Sequence, residues 1–149
     1  MKLFIGSDHA GFAIKGILKE HLASLGYEVE DIGPYTFDPN DDYPDFIIPV
    51  AKAVAQNPQE CRGIVIGGSG QGEAMAANKI KGIRAAVVYD EYSARMSREH
   101  NDANIAALGA RTTDVETAKQ LIKLWLETPF SGGERHMRRI KKIAETEKE

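Results

Sequence analysis

Gly63-Ile64-Val65-Ile66-Gly67-Gly68-Ser69-Gly70-Gln71-Gly72-Glu73-Ala74-Met75-Ala76-Ala77-Asn78-Lys79 joins an apolar run, a turn with four glycines in the six positions 67–72, and the start of a helical segment. An apolar run without polar alternation suits a strand covered on both faces, as in a parallel sheet. The glycines let the backbone take positive φ and let N–H groups approach a ligand with no Cβ in the way. Where such a turn opens a helix, its free N–H groups and the helix dipole favour negative charge nearby. Strand, bare turn and helix form the unit to seek along the rest of the chain.

The unit recurs. Leu3-Phe4-Ile5, Tyr27 to Ile32, Ile64-Val65-Ile66, Ala85 to Val88 and Ile105 to Leu108 are short β-rich runs, each followed by a turn and then by helical periodicity. In the first helical stretch Ile14, Ile17, Leu18, Leu22 and Leu25 form one apolar stripe, with Lys15, Lys19 and Glu20 outside it. Further helices are expected over 45–57, 72–80, 91–100, 113–127 and 134–147, and residues 145–149 read as a fraying, solvated helix end. Strands alternating with helices predict an α/β fold: a three-layer α/β/α, Rossmann-like, doubly wound sheet of about five parallel strands. One domain over 1–149 accommodates it, with no internal repeat or low-complexity linker. The longest irregular piece, Gly33 to Asp45, carries three prolines and four aspartates.

At 149 residues, 42% hydrophobic and 28% charged, the chain has room for one real core. A formal charge of −3 offers no overall attraction to nucleic acid or to anionic membranes, so any basic site must be local. The apolar run near Met1 is too short for a signal sequence or a membrane span, so a cytoplasmic protein is expected. Cys61, the one cysteine, can form neither an internal disulfide nor a thiolate metal cluster, and reads as a small apolar residue near the start of a strand.

Ligands of open parallel sheets bind outside the carboxyl ends of the strands. The turns there are Gly6 to Gly11, Gly67 to Glu73, Tyr89 to Tyr92 and Gly109-Ala110-Arg111. The glycine turn is not a P-loop, because Glu73 and Ala74 stand where Lys and Ser or Thr are needed. It is not a dinucleotide fingerprint, because Glu73 replaces the third glycine, nor a nucleophile elbow at Ser69, because Gln71 replaces a glycine. Glu73 has two readings. It complements the dipole of the helix it opens, or it is a base beside a row of N–H donors, the pairing that proton abstraction next to a carbonyl requires. Burial by Met75 or other apolar neighbours would raise its pKa toward working pH.

Asp8-His9 follows the first strand, with Asp8 either an N-cap for the helix starting near Gly11 or, with His9, part of a shared polar site. His100 closes the fourth helix, where it balances the helix dipole or acts as an acid/base near neutrality. Arg135 and Arg139 are four apart and share a helical face, either solvated or suited to gripping a phosphate, and Arg111 is positioned to join them from the loop end of the sheet.

Taken in order, Gly6 to Phe12, Asp42-Tyr43-Pro44, Gly67 to Glu73 with Ala76 to Lys79, Arg98 to Asn104, and Arg135 to Arg139 resemble the type B ribose-5-phosphate isomerases from residue 3 to about 140. The resemblance implies an aldose–ketose isomerase that interconverts ribose 5-phosphate and ribulose 5-phosphate through an enediolate. It implies no metal and no cofactor, and a homodimer or dimer of dimers with sites between subunits. Members use as base either a cysteine at the position of Gly67 or a glutamate at that of Glu73, and this chain matches the glutamate group. By resemblance, Ser69 with the backbone at Gly68, Gly70 and Gly72 holds the substrate's reacting end. Asp8 and His100 assist ring opening, Asn101 holds sugar hydroxyls, and Tyr43 lies beside the sugar. His9, Arg111, Arg135 and Arg139 hold the phosphate. A six-carbon substrate, galactose 6-phosphate or allose 6-phosphate, remains open within the family. A noncatalytic sugar-phosphate-binding module would need the turn and the arginines but not Glu73.

Overall fold

The computed structural model describes residues 1–148. Its strands are β1 (Lys2–Ser7), β2 (Glu28–Gly33), β3 (Cys61–Gly67), β4 (Ala85–Val87) and β5 (Ile105–Gly109). Its helices are α1 (Phe12–Ser24), α2 (Pro44–Gln56), α3 (Gln71–Ala77), α4 (Glu91–Glu99), α5 (Val115–Glu127) and α6 (Glu134–Glu145). The strands form one parallel sheet in the order β2-β1-β3-β5-β4. The expected α/β architecture with helices on both faces is present.

Side-chain alternation sorts the core into two layers. Leu3, Ile5, Ile64, Ile66, Ala106 and Leu108 face α1, α4 and α5, where Leu18, Leu22, Ile122 and Trp125 are fully enclosed. Phe4, Val65, Ile105 and Ala107 point the other way, onto Ile47, Val50 and Val54 of α2 and Ala74 and Ala77 of α3. The central strands β1, β3 and β5 are therefore apolar on both faces, while the edge strands β2 and β4 are only half-buried.

Local chemistry sets the helix boundaries, those of α5 and α3 differently from the periodicity and the start of α4 where the periodicity put it. α5 starts at Val115 because the Asp114 carboxylate accepts the Thr117 N–H at 2.8 Å, and α4 is started by a reciprocal cap between Asp90 and Ser93. α3 ends at Ala77, short of the expected residue 80. The Asn78 side chain instead pins the next strand, accepting the Ala85 N–H at 2.7 Å and donating to the Ala85 carbonyl at 2.9 Å.

Two expectations fail. On α1, Ile14, Leu18 and Leu22 are buried, but Ile17 and Leu25 are exposed, and Lys15, placed outside the stripe, is buried. The Lys15 ammonium is not left unpaired: it donates to Asp31 at 2.8 Å and to the Pro34 carbonyl, tying α1 to the start of the long loop after β2. Burial works to raise the Asp31 pKa, but hydrogen bonds from Lys15, the Gly33 N–H and Lys19 outweigh it and hold the carboxyl below the usual range. The tail is solvated as expected, with Glu145, Thr146 and Lys148 exposed, but up to residue 148 it is not frayed, and Glu149 lies outside the described residues. Thr146–Lys148 form a 3₁₀ turn, and both oxygens of Glu147 accept the Gly82 N–H at 3.0 Å.

Candidate active site

The strand order reverses between β1 and β3, so the turns that follow them open a crevice at the carboxyl end of the sheet. Ser7 pairs with Ile66, and the Asp8 N–H donates to the Ile66 carbonyl at 3.2 Å. On the other side Gly67 pairs with Gly109. The N–H groups of Ala110 and Arg111 donate to the carbonyls of Gly67 and Gly68 at 2.7 and 3.1 Å. Three chain segments far apart in sequence are thus laced into one rim.

Glu73 stands in the middle of that rim, 3% exposed. Its carboxylate fills the space over Gly67, where a Cβ would overlap both Oε1 and Cδ. Burial raises its pKa, and the nearby charge of Asp8 adds to the rise, while the N–H groups of Glu73 itself and of Gly70 oppose it. The expected burial is therefore real, but its agent is the sheet end and not Met75, which is 66% exposed.

The glycines make this turn possible at named contacts. Gly70 takes φ +81°, and a Cβ there would press on the Leu108 backbone at 3.1 Å. A Cβ at Gly68 would lie 3.0 Å from a nitrogen of the Arg111 guanidinium, and one at Gly72 would lie 2.6 Å from Cζ of Tyr43. Arg111 and Tyr43 therefore flank the turn on two sides. The Ser69 hydroxyl accepts the Gln71 N–H at 3.2 Å, which ties it to the first turn of α3.

Asp8 is buried and accepts the Gly11 N–H at 3.2 Å, so it organises its own turn while lying close enough to Glu73 to affect its ionisation. His9 is half-buried beside it. A hydrogen bond from the ring to Asp41 raises the His9 pKa, and the charges of Asp8 and Asp41 add to this against burial and Arg111. Asp8, His9 and Asp41 bring ligand-type atoms within 4.8 Å of one another. Two of these residues already share a hydrogen bond of 2.7 Å, between His9 Nδ1 and Asp41 Oδ1, which describes an ion pair better than a metal cage.

His100, Asn101, Arg135 and Arg139 are not at this rim. His100 and Asn101 follow α4 and precede β5, which puts them at the amino end of the parallel sheet. The Asn101 carbonyl accepts Arg84 Nε at 2.8 Å there, and the Ser131 N–H donates to the Glu99 carbonyl at 3.1 Å, bringing the start of α6 to the same end. The His100 and His136 rings stack with centroids 4.2 Å apart. Burial, His100, Arg135 and Arg139 together lower the His136 pKa. The seven residues of β3 separate the two clusters by about 20 Å at ~3.3 Å per residue. Within one chain Arg111, at the Glu73 end, is therefore apart from Arg135 and Arg139.

Sequence reasoning did not single out Asp41 or His136. Asp41 is one of four aspartates in the loop and has no local signal. His136 lies inside the Arg135–Arg139 motif, one residue beyond the first arginine, and its spacing was visible.

The family model described as Ribose/Galactose Isomerase matches residues 3–143. A probable ribose-5-phosphate isomerase B of Mycoplasma genitalium is 47% identical over 148 residues, covering 99% of this chain and 96% of its own length. The ribose-5-phosphate isomerase B of Mycobacterium tuberculosis is 40% identical, covering 99% and 91%. Among solved structures, ribose-5-phosphate isomerase B from Mycoplasma genitalium with bound ribulose-5-phosphate superposes with a TM-score of 0.96 at 44% identity, covering 99% of this chain and 97% of that one. The Clostridium thermocellum enzyme gives 0.94 at 50% identity, covering 99% and 98%. The chain belongs to the ribose/galactose isomerase family, among the type B ribose-5-phosphate isomerases.

Proposed function

We propose that this chain interconverts ribose 5-phosphate and ribulose 5-phosphate, with Glu73 as the base that carries the proton between C2 and C1. The observation that carries this reading is the Glu73 carboxylate: enclosed, raised in pKa, and held at the sheet switch beside the amides of a glycine turn. A C–H next to a carbonyl is weakly acidic, so abstraction needs a fixed base of raised pKa and donors for the oxyanion that forms. Glu73 takes the C2 proton, the electron pair passes to the C1 oxygen, and the N–H groups at Gly68, Gly70 and Gly72 with Ser69 hold that oxygen. Return of the proton to C1, with the C2 hydroxyl proton passing to the C1 oxygen, yields the ketose. Asp8 assists ring opening, Tyr43 covers the sugar, and His9 and Arg111 grip the phosphate, which binds the substrate away from the reacting carbons.

His100, Asn101, Arg135 and Arg139 act on the same substrate from a second copy of the chain. Two half-sites about 20 Å apart on one chain cooperate only if the carboxyl end of one copy meets the amino end of another. α6 supports this, since none of its residues is buried and its Met137 and Ile143 are exposed. The assembly is thus a homodimer or a dimer of dimers, and the whole chain acts as one isomerase domain. Among the described residues no helix is long and apolar enough to cross a membrane. We place the activity in the cytoplasm, where a single cysteine and a phosphorylated metabolite both fit.

A coupled assay comparing ribose 5-phosphate with allose 6-phosphate and galactose 6-phosphate tests this directly. Turnover should be highest with the pentose phosphate, and a hexose phosphate turned over faster would overturn the substrate assignment.

A further inference from the structure

The long loop between β2 and α2 runs from residue 34 to residue 43. It does two things at the site. It sets Tyr43 over Gly72, and it brings the Asp41 carboxylate to His9, 32 residues away in sequence. One oxygen of Asp41 receives both the His9 backbone N–H at 3.0 Å and the His9 ring Nδ1 at 2.7 Å. Its side chain is only 6% exposed, and its other oxygen is buried with no hydrogen-bond partner among the described residues. A carboxylate enclosed this far, with its contacts concentrated on one residue, is costly to keep unless that residue is positively charged. Lys15 secures the near end of the loop through Pro34, and the Asp41 N–H donates to the Asp38 carbonyl at 3.2 Å, so the carboxylate is delivered by an anchored segment.

We infer that Asp41 is a positioning residue: by fixing the backbone and Nδ1 of His9 it holds that imidazole protonated and directs its Nε2–H toward the substrate phosphate. The inference rests on the proposed role of His9. The charged groups facing His9 are Asp8 from its own turn, Asp41 from the loop before α2, and Arg111 from the turn after β5; Glu73 lies beyond, beside Asp8. Asp8 and Asp41 favour the imidazolium, and Arg111 disfavours it. Without the Asp41 charge the balance shifts toward Arg111, and the ring loses its proton at lower pH. A neutral ring that keeps its hydrogen on Nδ1 presents a bare lone pair to the phosphate, so contact is lost as well as charge.

The test compares the full-length protein with Asp41→Asn and His9→Gln between pH 6 and 9, using ribose 5-phosphate. For Asp41→Asn, KM should rise about tenfold near pH 8 and much less near pH 6, with kcat within about twofold throughout. The His9 ring, assigned in a 15N-histidine spectrum by its absence in His9→Gln, should titrate at lower pH in Asp41→Asn than in the parent. Thermal melting of each variant separates this from misfolding, since a merely structural lesion lowers the melting temperature without moving the ring's titration. If His9→Gln raises KM while Asp41→Asn keeps the parental KM–pH profile and ring titration, the positioning role is wrong and the phosphate role of His9 stands. If His9→Gln leaves KM unchanged, both are wrong.

Discussion

The carboxylate of Glu73 occupies the volume that a side chain on Gly67 would need. Glycine at 67 and glutamate at 73 are therefore one structural decision. The bare end of β3 is what lets a carboxylate six positions later fold back over the sheet and become enclosed.

Gly67→Ala should displace the Glu73 carboxylate, since the added methyl overlaps it. A base moved by ~1 Å loses about 10²-fold in kcat, with a smaller effect on KM. Steady-state kinetics check this, and a Gly67→Ala enzyme with parental kcat would show that the base does not work from this position.

Glu73→Gln should retain binding of the sugar phosphate while kcat falls by about 10²-fold or more, the low end for loss of a general base. It should also be more heat-stable than the parent at pH 8. Burial raises the Glu73 pKa, so the folded state holds this proton more tightly than the unfolded chain. Its ionisation therefore lowers stability as pH rises from the ordinary carboxyl range through the raised value, and the penalty is fully present above it. The stability difference should be near zero around pH 4 and largest at pH 8, as calorimetry across that range would reveal. A Gln variant less stable at pH 8 would contradict the stated cause of the shift.

Lys15→Ala should destabilise the fold by up to about 3 kcal/mol in urea titration, because it leaves the half-enclosed Asp31 with only the Gly33 N–H and the exposed Lys19 and frees the Pro34 carbonyl. The start of the loop would loosen too, so KM for ribose 5-phosphate should rise. Parental stability would mean that Lys15 is spare charge.

Glu73→Gln and His100→Asn should each be nearly inactive alone, yet regain activity when their subunits are mixed after dissociation. A site shared between copies leaves one intact site in each mixed dimer, so random pairing restores about a quarter of parental activity. Absence of recovery from properly exchanged subunits would place each site within one chain.

Ile140→Glu adds charge to the face of α6 that carries Met137 and Ile143, and should yield monomers by sedimentation together with loss of activity. Arg139→Ala should preserve assembly and raise KM about tenfold through loss of a charge-assisted phosphate contact. Monomers that remain active would disprove the shared site.

What the sequence determined by itself was local. The uninterrupted apolar runs at Ile64–Ile66 and Ile105–Leu108 declare strands covered on both faces, and the spacing of Ile14, Leu18 and Leu22 declares a helix laid against them. The glycines around Ser69 declare a turn where backbone meets ligand. These features are legible because periodicity and backbone permissiveness act between residues a few positions apart. Tertiary structure alone decided which turns became neighbours. β5 lies between β3 and β4, so Arg111 reaches Gly68 and not Arg135, and His100 falls at the far end of the sheet. Lys15 is inside because Asp31 and Pro34 meet it there, and Asp41 matters because the loop closes on His9. A charged side chain has no period that announces burial; whether it is enclosed depends on a partner distant in the chain, and only the folded arrangement brings the two together.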